Sequence, residues 1–215
     1  LKFSSLVVSL SQGNLFLGIL LVGIASFVLG MGLPTSAAYI VLSVMAVPAM
    51  LELGESIGLT MLAAHLIVFW YSLDSCFTPP VCVPAYTAAG LADANPAKAA
   101  WAAFRAAKGM YVIPLMFAYT PLLLIGTKPL SALEALVAAI IGFTGLSAAM
   151  VGHMYFPFGA PMRALLIAAA ILLFWPGIFA HTAGALILGG VFLIQRKRLL
   201  VEGEPGAASP SLEAA

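Results

Sequence analysis

Two interruptions in a lipid-soluble chain gather the residue types that can hold an ion. Gly30-Met31-Gly32-Leu33-Pro34-Thr35 separates two apolar segments, and Asp74-Ser75-Cys76-Phe77-Thr78-Pro79-Pro80 falls inside a third. At membrane depth, unwound backbone and an ionisable side chain are tolerated only where protein or a polar cavity surrounds them. Helix arms that stop there leave carbonyls unpaired at C-termini and amides unpaired at N-termini. Secondary transporters use these for sodium and for anionic substrate groups respectively. Gly30 and Gly32 let a ligand approach the backbone, Pro34 completes the tip, and Thr35 and Ser36 are expected to cap the second arm with hydroxyls. In the other interruption the Asp74 carboxylate and the Ser75 and Thr78 hydroxyls face an extended backbone around Pro79, whose carbonyls cannot all be paired locally. Hard oxygen ligands suit sodium, which is expected among Gly32, Thr35, Asp74 and Thr78.

Each of these residues has a plainer reading. Gly-x-Gly-x-Pro between apolar segments is commonly only a tight turn. Asp74 is harder to dismiss, because an aspartate near a spanning-helix centre costs roughly 2.5 to 3.5 kcal/mol on insertion scales. His65, alone in an apolar helix, reads as a hydrogen-bonded core residue rather than a proton carrier. His153 and His181 lie near segment ends, where interfacial exposure explains them. Trp70 and Tyr71 either line a site or pack. Cys76 and Cys82 suit neither a disulfide framework nor a zinc site and read as packing or site-lining thiols. No nucleophile elbow, His-Glu-x-x-His or phosphate-cradling motif is present, so an enzyme is not expected and no cofactor is implied.

The elements that position these residues follow from composition and punctuation. With 63% hydrophobic and 8% charged residues and a mean hydropathy of +1.11, this is an integral membrane chain. A net charge of +1 gives no reason to expect nucleic acid. The chain starts at Leu1 with no charged-then-apolar leader, which reads as a piece of a longer protein. Segments 15 to 33 and 36 to 51 each fall short of the roughly 20 residues that span a bilayer. They form either a re-entrant hairpin or two tightly joined spanning helices, with Asn14 and Glu52 on the same side. As one helix, residues 57 to 91 would be about 52 Å long. Pro79 and Pro80 remove two donors, so the expectation is a discontinuous helix joined through residues 74 to 80.

Asn95-Pro96 is an N-cap followed by proline at the first helical position. The helix it starts puts Lys98, Trp101, Phe104, Arg105 and Lys108 on one side and alanines on the other, as suits a membrane interface. Further apolar stretches at about 109 to 126, 130 to 150, 160 to 176 and 178 to 195 are candidate spanning helices. Lysine and arginine collect on the cytoplasmic side. Placing Arg196-Lys197-Arg198 there and alternating backwards puts Arg163, Lys108, Arg105 and Lys98 on that side, with Lys128 outside. The C-terminus is then cytoplasmic, and the hairpin enters from outside.

Gly-Met-Gly-Leu-Pro-Thr-Ser-Ala-Ala-Tyr-Ile-Val-Leu (30 to 42), Ala-His-Leu-Ile-Val-Phe-Trp-Tyr-Ser (64 to 72), Thr-Pro-Pro-Val (78 to 81) and Ala-Tyr-Thr-Ala-Ala-Gly-Leu-Ala (85 to 92) occur in that order. Together they closely resemble the C-terminal part of the large permease subunit of tripartite ATP-independent periplasmic (TRAP) transporters. The fused-permease branch that works with TAXI-type binding proteins is the nearest likeness, dense over residues 1 to 125. The resemblance implies an all-α membrane protein of the elevator-type ion-transporter fold, in the bacterial or archaeal cytoplasmic (inner) membrane. It implies a re-entrant hairpin, a discontinuous helix and about four further helices, with the other repeat in a missing N-terminal part. It also implies a sodium gradient as the drive, a small organic anion of carboxylate type as the solute, and a periplasmic TAXI-type binding protein as partner. Cys76-Phe77 before Thr78 departs from the smaller or more polar residues expected there.

The domain reading is 1–93 hairpin and discontinuous helix, 94–108 interfacial helix, 109–126 transmembrane helix, 127–198 C-terminal helices and 199–215 disordered tail. Three rivals are a proton-coupled carrier, a channel-like subunit, and a structural membrane subunit in which Asp74 merely pairs with a partner.

Overall fold

The computed structural model describes residues 2–30, 33–74, 76–123 and 128–202, and the secondary structure among them is helical apart from one isolated bridge between His153 and Pro157. Two compact units divide the chain, Leu1–Leu123 and Leu124–Ala215.

The first unit opens with α1 (Lys2–Ser11), which the apolar pattern from residue 15 onward does not announce. Its Ser4 hydroxyl donates to the Met45 carbonyl at 2.7 Å, tying α1 to α3. Asn14 starts α2 (Leu15–Leu29) by accepting from the Leu17 N–H at 3.2 Å, an N-cap. After the tip, α3 (Thr35–Gly54) returns and tightens into a 3-10 turn at Glu55–Ile57. The second arm is longer than the 36 to 51 segment expected of it. The 15 residues of α2 reach only about 22 Å, whereas Thr35–Ile57, at 23 residues, is long and apolar enough to cross a membrane. Glu52 does not end the second arm, because it lies on the exposed face and the helix winds past it.

Where a discontinuous helix is expected, the chain forms two helices, α4 (Met61–Asp74) and α5 (Val83–Leu91). Pro79 and Pro80 deny the ladder two donors, and Cys82 turns the chain at φ 32°, a left-handed conformation that costs a non-glycine residue energy. Asn95 caps α6 (Pro96–Ala106), accepting from the Lys98 N–H at 3.1 Å. The single helix expected over 109–126 is instead three short pieces: a 3-10 turn at Ala107–Tyr111, α7 (Ile113–Tyr119) and a 3-10 turn at Pro121–Leu123. Pro114 and Pro121 supply the reason, since neither can donate to the preceding turn.

Packing in this unit relies on close approach rather than on escape from water, which lipid does not reward. Ala46, Ala49 and Ala64 are 0% exposed between α3 and α4, beside Leu42, Met50, Ile67 and Val68. Large apolar side chains such as Ile40 and Val44 point outward, as lipid contact permits.

The second unit is an antiparallel trio, α8 (Pro129–Val151), α9 (Ala160–Phe174) and α10 (Ile178–Glu202). Pro129–Val151 and Ile178–Leu200 are long and apolar enough to span, while Ala160–Phe174 is shorter than the span expected of it. Gly152 ends α8 at φ 77°, and Arg163 caps it, donating to the Ala149 carbonyl at 2.8 Å and to the Met150 carbonyl at 3.0 Å. A cation at a helix C-terminus also meets the negative end of the dipole. Gln195 accepts from the Phe156 N–H at 3.0 Å, so Arg163 and Arg196-Lys197-Arg198 share one end of the trio, as charge alternation requires. The tail expected to be disordered from residue 199 begins inside α10, which continues to Glu202; residues 203–215 lie outside the described residues.

Candidate functional site

Asp74 is the last residue of α4 and is 4% exposed. Neither of its carboxylate oxygens has a hydrogen-bond partner among the described residues. An ionised carboxylate without a partner in an apolar interior is unfavourable by several kcal/mol or more. A bound cation or proton would relieve that cost.

The space for such a ligand adjoins it. Asp74 and Thr78 line a cavity of about 420 Å³, walled by Leu20, Gly23, Ile24 and Phe27 of α2, by Tyr71 of α4, and by Phe104 and Tyr111. Gly23 makes room for this arrangement: a Cβ there would stand 3.0 Å from the Tyr71 ring. Phe104, assigned by sequence to the interfacial face of α6, turns instead toward the cavity and meets Tyr111 edge-on, with ring centroids 6.0 Å apart. Trp101, more than half exposed, keeps the outward face. Trp70 packs edge-on against Phe117 at 5.7 Å, so of the two neighbouring aromatics only Tyr71 lines the cavity.

The backbone of the break is better paired than its sequence implies. The Leu73 carbonyl accepts from the Cys76 N–H at 3.1 Å, and the Asp74 carbonyl accepts from the Phe77 N–H at 3.1 Å and the Thr78 hydroxyl at 2.7 Å. The Phe77 carbonyl accepts from the Cys82 thiol at 3.2 Å and the Pro80 carbonyl from the Tyr86 hydroxyl at 2.9 Å. Unsatisfied carbonyls, expected as ion ligands here, are therefore replaced at these four positions by turn and side-chain hydrogen bonds. What remains open is side-chain oxygen. Cys82, 0% exposed, serves the fold, while half-buried Cys76 faces the tip.

At the tip, the hydroxyl caps expected from Thr35 and Ser36 are absent. Pro34 occupies the N-cap position without a side-chain bond, and Thr35 and Ser36 follow inside the helix, where they are poorly placed to reach the first N–H groups. Thr35 Oγ1 instead lies 3.4 Å from Cys76 Sγ, the one hydrogen-bond contact between tip and break among the described residues. Gly30 is right-handed at φ −78°, with its N–H donating to the Ser26 carbonyl at 2.7 Å, a conformation open to any residue. Pro34 and Ser36 are exposed and Pro79 is half-buried. Gly32 and Ser75 lie outside the described residues. The candidates thus fall into two groups, Asp74 with Thr78 and Thr35 with Cys76. Among the described residues no hydrogen bond joins Thr35 or Ser36 to Asp74.

Sequence reasoning missed Tyr111 and the α2 wall, because aromatic and small residues on apolar helices carry no distinctive signal. His65 is a bonded core residue, its Nδ1 2.9 Å from the Tyr39 hydroxyl across α3 and α4. His181 departs from its reading as an interfacial side chain. It is 8% exposed and its Nδ1 lies 2.8 Å from Glu134 Oε1, joining α10 to α8 beside an apolar cavity of about 430 Å³. A carboxylate one turn into α8 made this burial possible, and that residue went unremarked in the sequence. Among the described residues no group of three or more His, Cys, Asp or Glu side chains converges as a metal site.

A family model described as the DctM component of the tripartite ATP-independent periplasmic transporter matches residues 1–130. No curated protein and no solved structure gives a significant match to the chain.

Proposed function

The chain belongs to the DctM-component family of tripartite ATP-independent periplasmic transporters, multi-pass permeases of secondary transporters that work with a solute-binding protein, and from that premise we propose that it takes up an organic anion by sodium coupling. The observation that carries this is the Asp74 carboxylate, buried at a broken helix without a hydrogen-bond partner among the described residues, on a residue that lines a cavity. Sodium, a hard cation, matches carboxylate and hydroxyl oxygens. Bound there, it would neutralise the carboxylate and favour the arrangement in which Thr35 meets Cys76, holding the tip against the break.

The solute is of carboxylate type. It is delivered by a periplasmic binding protein of the TAXI type and received partly by a first repeat in residues outside this chain. The hairpin opens to the periplasm, the C-terminus is cytoplasmic, and the membrane is the inner membrane. These assignments rest on the resemblance of residues 30–42, 64–72, 78–81 and 85–92 and on the charge alternation. The elevator movement and the re-entrant nature of the hairpin rest on the same resemblance. The length of α3 argues equally for a spanning arm.

A proton-coupled carrier is the second reading, and the same buried carboxylate favours it, because a protonated acid needs no counter-ion. Uptake by the complete transporter in proteoliposomes separates the two. An imposed sodium gradient should drive uptake, and Thr35→Ala and Asp74→Asn should each reduce it at least several-fold. Uptake driven by a pH gradient without sodium supports the proton reading, and unchanged sodium-dependent uptake in both variants removes the site.

A further inference from the structure

Thr78 carries one hydroxyl proton and two lone pairs. Its proton is committed to the Asp74 carbonyl, 2.7 Å away and already the acceptor of the Phe77 N–H. The Tyr111 hydroxyl also lies 2.7 Å from Thr78 Oγ1, and with the threonine proton spent, Tyr111 is the donor in that contact. The result is a directed chain, Tyr111 O–H to Thr78 O–H to the Asp74 carbonyl. It leaves one Thr78 lone pair and the Tyr111 lone pairs without a hydrogen bond among the described residues, in the cavity that Asp74 also lines. The Thr78 hydroxyl is held at both ends and cannot rotate to offer its proton to the cavity.

Tyr111 is itself fixed from outside the break. It ends the 3-10 turn Ala107–Tyr111, which follows directly on α6, and its ring packs on Phe104 of that helix and against the α2–α3–α4 core. We infer that Tyr111 is a positioning residue of the cation site: its hydroxyl holds Thr78 with a lone pair, not a proton, directed at the ion. The inference rests on the reading of Asp74 as the sodium carboxylate. It adds that the segment after the interfacial helix, and not only the hairpin and the broken helix, sets the affinity for the ion.

The test is the sodium dependence of uptake by the complete transporter in proteoliposomes. Tyr111→Phe keeps the ring and removes the hydroxyl. The sodium concentration for half-maximal uptake should rise several-fold, up to about tenfold, the scale of one hydrogen bond. The solute KM at saturating sodium should stay within about twofold. A role confined to packing would leave the sodium curve unmoved, and a direct solute contact would shift the solute KM instead; either result overturns the inference. Thr78→Val and Tyr111→Phe should be non-additive, since each breaks the same chain, and full additivity likewise overturns it. Thr78→Ser should restore the sodium curve that Thr78→Val loses. Asp74→Asn distinguishes this failure from that of the underlying reading. Sodium dependence lost in Asp74→Asn but unmoved in Tyr111→Phe rejects the tyrosine alone, whereas sodium dependence intact in Asp74→Asn rejects the site.

Discussion

At the scale of single residues, a buried carboxylate and a glycine that makes room beside it define the candidate site. Asp74 stands out because charge inside an apolar segment is costly wherever the chain folds. Tyr111 and Gly23 do not stand out, because an aromatic or a glycine in such a segment fits ordinary packing equally well. Gly23 gives a test of the cavity that leaves the oxygens untouched. With the Tyr71 ring 3.0 Å from its would-be Cβ, Gly23→Val pushes side chains into the space or forces α2 away. The expected result is a loss of transport of tenfold or more, with about 1 to 3 kcal/mol of destabilisation typical of overpacking, read by uptake and by thermal unfolding of the purified permease. His65→Ala should act differently. Removing the Tyr39 bond should cost on the order of 1 kcal/mol of stability and leave the sodium dependence of uptake unchanged.

At the scale of elements, punctuation was readable where it was strong. Pro79-Pro80 announced the gap between α4 and α5, and Asn95-Pro96 announced the start of α6, because missing donors and side-chain caps are local chemistry. The extent of α3 was not readable, since a single glutamate on an exposed face does not stop a helix. Nor was the breaking of residues 109–123 into short turns, although Pro114 and Pro121 carried the signal. The link between tip and break was also hidden, because a contact between α3 and the residues after α4 depends on their packing. Thr35 and Cys76 make that link observable. Cys76 is half-buried while Cys82 is fully buried and bonded to the Phe77 carbonyl, so a thiol reagent should modify Cys76 first. Sodium should slow alkylation of Cys76 several-fold in the complete transporter, checked by mass spectrometry, and Asp74→Asn should remove that protection. An alkylation rate indifferent to sodium would separate the tip from the ion.

At the scale of the molecule, the membrane character was plain from composition, and the family match covers residues 1–130, the whole of the first compact unit. The second unit carries its own polar device, the Glu134–His181 pair between α8 and α10. It was invisible in sequence because a histidine near a segment end looks interfacial until a partner on another helix is known. Replacing it tests whether the units are functionally separable: His181→Ala should lower thermal stability by on the order of 1 kcal/mol while the half-saturating sodium concentration stays unchanged. A shifted sodium curve would instead join that pair to transport.

The most direct measurement is equilibrium binding of radiolabelled sodium to the purified complete permease, wild type against Asp74→Asn, with folding of both checked by thermal unfolding. Saturable binding in the wild type and its loss in a folded Asp74→Asn protein is the expected result. Equal sodium binding by the two proteins would contradict the assignment of the ion to Asp74.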